Sequence, residues 1–336
     1  MILVTGATGF VGAHLLYQLV ETNEHVRAIY RSEKTIEKVT EVFSLYGANA
    51  SLISKIEWFK ADITDVPSMI PAFYGVKKVY HCAAFISFNP KDYREMRKVN
   101  IHGTAIIVNL SIDAKVNKIC FVSSIASIRS SIYGEPSTEE NEWNKELDNS
   151  GYSITKFGAE MEVWRASQEG IDVVIVNPGV ILGAGFWNTG SGALFPKIYK
   201  GLQFYTEGIT GFVAVKDVVI IMIRLMNSTI KNERYILVSE NVSFKNVFNQ
   251  IAINFNKKEP SIKVSKWLSE IAWRLDWVRS FITRKSPILT KQSAQSIHKK
   301  HFYSSNKIKN ELNFEFEPVS KTVAEVCEFY KKRDSF

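Results

Sequence analysis

Tyr152 and Lys156 stand four residues apart, the spacing that puts two side chains on one face of a helix. A phenol ionises near pH ~10, too high for ready acid–base work at neutral pH. A neighbouring ammonium favours the phenolate and lowers that value. Ser124 lies upstream, where Val122-Ser123-Ser124 closes an apolar, β-prone run, and its hydroxyl suits holding a carbonyl oxygen. Tyr-x-x-x-Lys also occurs on structural helices, so the pair takes its meaning from the rest of the chain. Together the three side chains suit a proton moving at an oxygen while a cofactor carries the hydride.

Such a cofactor has its own signal at the start of the chain. Ile2-Leu3-Val4-Thr5 runs into Gly6, Gly9 and Gly12, and Ala13-His14-Leu15-Leu16 continues with helical periodicity. Strand, glycine turn and helix in that order form a dinucleotide-binding unit. Gly6 permits the tight turn, Gly9 lets the backbone approach a pyrophosphate, and Gly12 lets the helix pack on the strand. Thr8, Phe10 and Val11 complete the expected contact at the helix N-terminus, where free N–H groups and the helix dipole favour phosphate. After the second strand, Tyr30-Arg31-Ser32 lacks the carboxylate that suits an NAD ribose. Arg31 offers forked donors for a 2′-phosphate. NADP(H) is therefore expected ahead of NAD(H), against the plainer reading of Arg31 as a surface residue. Asp62, with Ile63 beside it, is placed to accept from an adenine amino group; a helix cap fits it equally.

The elements that must position these residues are parallel strands alternating with helices. Strands are expected at His25–Tyr30, Ile56–Lys60, Val79–Ala84, Lys118–Ser123, Asp172–Val176 and Arg234–Val238. Helices are expected from about Glu33 to Tyr46 behind a Ser32 cap, over Tyr93–Val116, from Tyr152 onward, near Leu194–Gly201 and over Phe212–Met226. Near-continuous apolar strands between helices imply an α/β Rossmann fold, a doubly wound parallel sheet of about seven strands. A smaller, mostly helical C-terminal part would carry the substrate. The expected boundaries are 1–179 for the nucleotide-binding domain, with 212–240 returning to it, and 180–211 with 241–336 for the substrate domain.

The chain resembles the extended short-chain dehydrogenase/reductases over essentially its whole length. Beyond Gly6/Gly9/Gly12 and Ser124/Tyr152/Lys156, the likeness rests on Asp62, His81-Cys82-Ala83-Ala84, Asn100-Ile101-His102-Gly103-Thr104 and Asn177-Pro178-Gly179. The resemblance implies that Ala83, Ala84, Val122 and Ser123 pass beside the cofactor and that Pro178, Gly179 and Val180 contact its nicotinamide end. Lys156 would hold the nicotinamide ribose, Asn100 would support the active-site helix, and Phe85, Ile125 and Asn177 would join Ser124 at the substrate. It also suggests a homodimer through the helices holding Asn100 and Tyr152. Arg31 and the run from Asn177 to Gly183 look most like the branch of dihydroflavonol reductases, 3β-hydroxysteroid dehydrogenases and related sugar epimerases.

The leading expectation is an NADP(H)-dependent enzyme interconverting a carbonyl and a secondary alcohol on a small or medium organic molecule. A nucleotide-sugar epimerase with tightly held NAD, a sterol-type 3β-hydroxy dehydrogenase and a binding protein that has lost catalysis are the alternatives. A sugar dehydratase is disfavoured, because Ser124-Ile125-Ala126-Ser127 contains no acid. No metal site or nucleic-acid motif is evident. Strand one begins at Met1 and no long uncharged apolar run follows, so the chain reads as cytoplasmic. Cys82, Cys120 and Cys327 read as reduced thiols, the first two on buried strands. His81 and His102 read as packed, hydrogen-bonded histidines, and Glu139, Glu140 and Glu142 as a solvated loop.

The formal charge is +8, and residues 260–310 carry eleven Lys or Arg against Glu270 and Asp276. That segment includes Trp267, Ile271, Leu275, Val278 and Ile282 at core-face spacing, and a second stripe of Trp273, Trp277 and Phe281. The plain reading is a helix buried on two sides or lining a dimer contact. The sharper one is that the aromatics, beside Arg274, Arg279, Arg284 and Lys285, touch a membrane surface or gate a lipophilic substrate.

Overall fold

The computed structural model describes every residue except 49, 130, 132–133, 142, 145–148, 285–286, 288 and 334–336. Six strands come first: β1 (Ile2–Thr5), β2 (Val26–Tyr30), β3 (Ile56–Lys60), β4 (Lys78–His81), β5 (Lys118–Val122) and β6 (Asp172–Pro178). The chain then makes β7 (Val180–Leu182), β8 (Phe204–Tyr205) and β9 (Ile209–Ala214) before β10 (Glu233–Leu237) joins the main sheet. Seven strands stand in the order β3-β2-β1-β4-β5-β6-β10, all parallel. Every residue of β1 and β5 is buried, as a sheet covered on both faces requires. The Phe10–Glu21 and Val215–Asn227 helices cover one face through Leu15, Leu16, Val218 and Met222. The Gly103–Asp113 and Gly151–Gln168 helices cover the other through Ile107, Val108, Ala159 and Val163. The strand order reverses between β1 and β4, where ligands bind in sheets of this kind.

A second sheet of β7, β9 and β11 (Glu240–Ser243) leans on this layer, and β8 pairs with β12 (Ile262–Lys263). Its core packs the Phe244–Asn254 helix against the Val319–Arg333 helix through Val247, Ile251, Val323 and Cys327. Gly179, between β6 and β7, is tightly enclosed: a Cβ there would lie 2.4 Å from the Gly211 carbonyl oxygen.

Several expected elements differ. Phe212–Ala214 belongs to β9, and the helix starts at Val215; a short apolar run buried on both sides has no period that tells strand from helix. The helix expected over Tyr93–Val116 is broken by a π-helical turn, Arg97–His102, that carries Asn100. Strand β4 stops at His81, so Cys82 sits half-buried just past the strand. Ser32 makes no side-chain cap; a 3₁₀ turn, Glu33–Thr35, leads into the Ile36–Leu45 helix. Among the described residues, no helix is long and apolar enough to cross a membrane.

Candidate active site

The glycine turn is built as its spacing demands. Gly6 has φ +64°, and a Cβ there would strike the backbone of Ala83 at 2.5 Å. A Cβ on Gly12 would lie 2.2 Å from the Gly6 carbonyl oxygen, so the helix can approach β1 only with glycine here. Gly9 N–H donates to Gly6 O at 2.9 Å and no side chain caps the Phe10–Glu21 helix. Its first N–H groups therefore face the carboxyl end of the sheet, the arrangement that binds a pyrophosphate. The Phe10 ring packs on Phe186, which leaves its backbone to the turn. Thr8 and Val11 are half-buried beside it.

Just past the end of β2 Arg31 is largely exposed, 3.8 Å from an Asp62 carboxylate oxygen. Asp62 accepts from the Thr64 N–H and hydroxyl, both at 2.8 Å. Burial raises its pKa, but those two bonds and the Arg31 and Lys98 cations outweigh it and hold the carboxyl below its ordinary value. Ile63 is buried against Gly103.

The proton-handling side chains meet at the ends of β5 and β6. Tyr152 lies half-buried in the first turn of the Gly151–Gln168 helix, hydrogen-bonded to Ser124, with Phe88 edge-on 6.0 Å away. Burial pushes the Tyr152 phenol up to about 12, and the Ser124 bond pulls it only partly back. Lys156 is buried, donates to Val122 O at 2.7 Å and sits 4.7 Å over the Phe121 ring. The expected lowering of the phenol by Lys156 is not what the structure gives; desolvation dominates and the ammonium is held by the Val122 carbonyl. Lys156 itself is pushed down to about 8 by burial, against the opposing pull of Glu160 and Cys82. Turnover should therefore fall as pH rises through about 8 and the ammonium is lost. Lys156→Arg, which stays charged, should remove that limb from a kcat–pH profile; a wild-type profile flat well above pH 8 would contradict this assignment.

Two buried networks hold the site. In one, Asn100 clamps Phe85, accepting from its N–H at 2.7 Å and donating to its carbonyl at 3.0 Å, while its amide also reaches Thr155 Oγ1 at 3.1 Å. Asn100 thus ties the segment after β4 to the helix of Tyr152. His81 bridges Thr5 Oγ1 at 2.6 Å and Thr104 Oγ1 at 2.9 Å, and burial drives it down to about 3, so it stays neutral.

Glu160, fully buried and four residues beyond Lys156, centres the other. Its Oε1 accepts from Ser123 Oγ at 2.5 Å, from Asn177 Nδ2 at 2.6 Å and from Ser127 Oγ. Its Oε2 lies 3.6 Å from Arg234 Nη1. Asn177 Nδ2 also reaches the Ser124 carbonyl oxygen at 3.2 Å.

A family model described as male sterility protein, an NAD-binding family, matches residues 4–231. The chain belongs to that family of extended short-chain dehydrogenase/reductases. It is 26% identical to sterol demethylase protein B of Methylococcus capsulatus over 98% of each chain. It is 29% identical to a dihydroflavonol 4-reductase of Arabidopsis thaliana, over 54% of this chain and 49% of that one. The crystal structure of gox2253 superposes with a TM-score of 0.81 at 26% identity, covering 99% and 98% of the two chains. The chain is thus an NAD(P)-dependent enzyme class member with reductase relatives.

In this dehydrogenase/reductase Tyr152 meets Ser124, Lys156 meets the Val122 carbonyl and Asn100 meets Thr155 on the same helix and Phe85 after β4, while Ala83 lies against Gly6. Pro178 closes β6, and Gly179 N–H donates to Leu237 O at 3.0 Å before Val180 opens β7. Other residues take different places. Asn177 is buried within the Glu160 network, and Ile125 is buried with Ile128, Ile236, Val238 and Tyr303, so neither presents a substrate surface. Ser123 turns inward to Glu160, while Val122 contributes its carbonyl to Lys156. Glu139 is buried, its Oε1 accepting from Ile236 N–H at 2.8 Å, although the sequence reads it as solvated; Glu140 is exposed and Glu142 lies outside the described residues. His102 is exposed rather than packed. Glu160, which braces Ser123, Ser127 and Asn177 beside the site, is signalled in the sequence only by its i+4 position from Lys156; Arg234, on a distant strand, carries no local signal.

Proposed function

We propose that this chain is an NADP(H)-linked oxidoreductase that interconverts a carbonyl and a secondary alcohol on a small or medium organic substrate. The observation that carries the reading is the Tyr152 phenol hydrogen-bonded to Ser124 just past β5, at the same carboxyl end of the parallel sheet as an uncapped glycine turn. The dinucleotide fits the residues present: the turn leaves no room for a Cβ at Gly6 or Gly12 and directs unpaired N–H groups at its phosphates. The nicotinamide supplies or accepts the hydride when bound. Ser124 holds the substrate oxygen, and Tyr152, neutral below about 12, delivers its proton to that oxygen during reduction and is left as the phenolate; oxidation runs the same step backwards, the phenolate taking the alcohol proton. Lys156, anchored on the Val122 carbonyl, holds the nicotinamide ribose while its ammonium is protonated. Following NADPH oxidation across a panel of aldehydes and ketones tests the proposal, and no turnover with any member would count against it.

A sterol 3-hydroxyl or 3-keto group is a second substrate reading, favoured by similarity to the Methylococcus capsulatus protein along both chains. A 3-keto sterol therefore belongs in the panel. For the cofactor, Arg31 is exposed and only loosely paired with Asp62, so its guanidinium is open to a 2′-phosphate. Arg31→Ser should weaken NADPH binding by about tenfold or more, the worth of one charge-assisted phosphate contact, and leave NADH binding unchanged. Equal losses for both nucleotides would show that Arg31 does not read the 2′ position.

A further inference from the structure

The Lys266–Thr283 helix turns its apolar side away from the protein. Trp267, Ile271, Leu275, Trp277, Phe281 and Ile282 are 44–73% exposed, and Ser269 is the helix's one buried residue. At 3.6 residues per turn these six fall on one broad arc. The opposite side is polar and faces inward: Ser269 Oγ hydrogen-bonds His298 Nε2 at 2.7 Å, and an Asp276 carboxylate oxygen accepts from the Leu289 N–H at 2.9 Å. Trp273 is half-buried and its indole N–H donates to Glu270 at 3.0 Å. The expectation of a core face is thus inverted, because the sequence shows that a stripe exists but not which way it points. Lys285, read with this segment, lies outside the described residues.

Charge says what covers the arc. Residues 260–310 hold eleven Lys or Arg against two acids, which is +9 within a chain whose total is +8. Both acids are already matched, Glu270 to Arg274 at 2.6 Å and Asp276 to Arg279 at 2.6 Å. Lys266, Arg284, Lys291, Lys299 and Lys300 are exposed and make no ion pair with an acid among the described residues. A second copy docking symmetrically on this face would bring two such segments together, and like charges would oppose it. An anionic lipid surface meets both requirements: headgroups for the cations and an acyl boundary for the aromatic arc. The helix is about 27 Å long at 1.5 Å per residue and too charged to span, so it lies in the plane of the interface.

We infer that the Lys266–Thr283 helix docks the enzyme peripherally on anionic membrane. The test is co-sedimentation with phosphatidylcholine vesicles and with vesicles that also contain phosphatidylglycerol, following tryptophan emission in parallel. Binding should be at least about tenfold stronger to the anionic vesicles, with a blue-shifted emission, and should weaken as salt is raised. Trp277→Ser combined with Phe281→Ser changes exposed side chains and so leaves the fold intact; it should abolish the blue shift and most of the binding. Lys299→Glu with Lys300→Glu should reduce binding while leaving the aromatics in place. No sedimentation with anionic vesicles at low salt would overturn the inference. So would binding indifferent to the serine variant, or a stable dimer that this variant dissolves, which would assign the face to a second copy.

Discussion

Tyr152→Phe should lower kcat for carbonyl reduction by about 10²- to 10⁴-fold, the usual worth of a positioned acid–base group, with nucleotide affinity held within about a factor of two. The prediction follows from the geometry of one oxygen. Phe keeps the ring that stands against Phe88 and removes only the hydroxyl bonded to Ser124. Stopped-flow hydride transfer and a fluorescence titration separate the two quantities. A variant that retained most of its turnover would assign the proton to another donor; one that lost nucleotide binding in proportion would make Tyr152 a structural residue.

Glu160→Ala should destabilise the protein by about 3–5 kcal/mol, the typical cost of removing one partner of a buried charged network. The carboxylate is fully buried and is shared by Ser123, Ser127, Asn177 and Arg234, all of which would lose an acceptor or a counter-charge at once. Activity should fall as well, since Asn177 also holds the carbonyl oxygen of Ser124. Glu160→Gln is the informative companion. It keeps an acceptor for the serines but loses the charge opposite Arg234, so a denaturant midpoint between wild type and the alanine variant is expected. An unchanged midpoint for Glu160→Ala would mean the network is relaxed in solution and does not brace the site.

The fold and the centre of the site were legible because their signals are local. A glycine turn between an apolar strand and a helix can be read from a dozen residues, and Tyr152 and Lys156 share one helix face. What the sequence hid was direction and long-range pairing. Glu139 sits in an acidic loop yet is drawn inside by the Ile236 N–H and Arg234, nearly a hundred residues on. Asn177 and Ile125 stand beside reactive positions in sequence, but their side chains point into the core. The Lys266–Thr283 helix carries an apolar stripe that propensity assigns to the interior and packing leaves outside. The Tyr152 phenol illustrates the same limit in electrostatics: proximity in sequence promised a cation's influence, and desolvation determined the result.

The most direct test of the account is a fluorescence titration of the purified protein with NADPH and with NADH, together with identification of any nucleotide that co-purifies. An empty site with clear preference for NADPH is the predicted result, as a reductase that exchanges cofactor at every turnover requires. Tightly held NAD⁺ carried through purification would contradict it, pointing to an epimerase that regenerates its cofactor in place and to a surface role for Arg31.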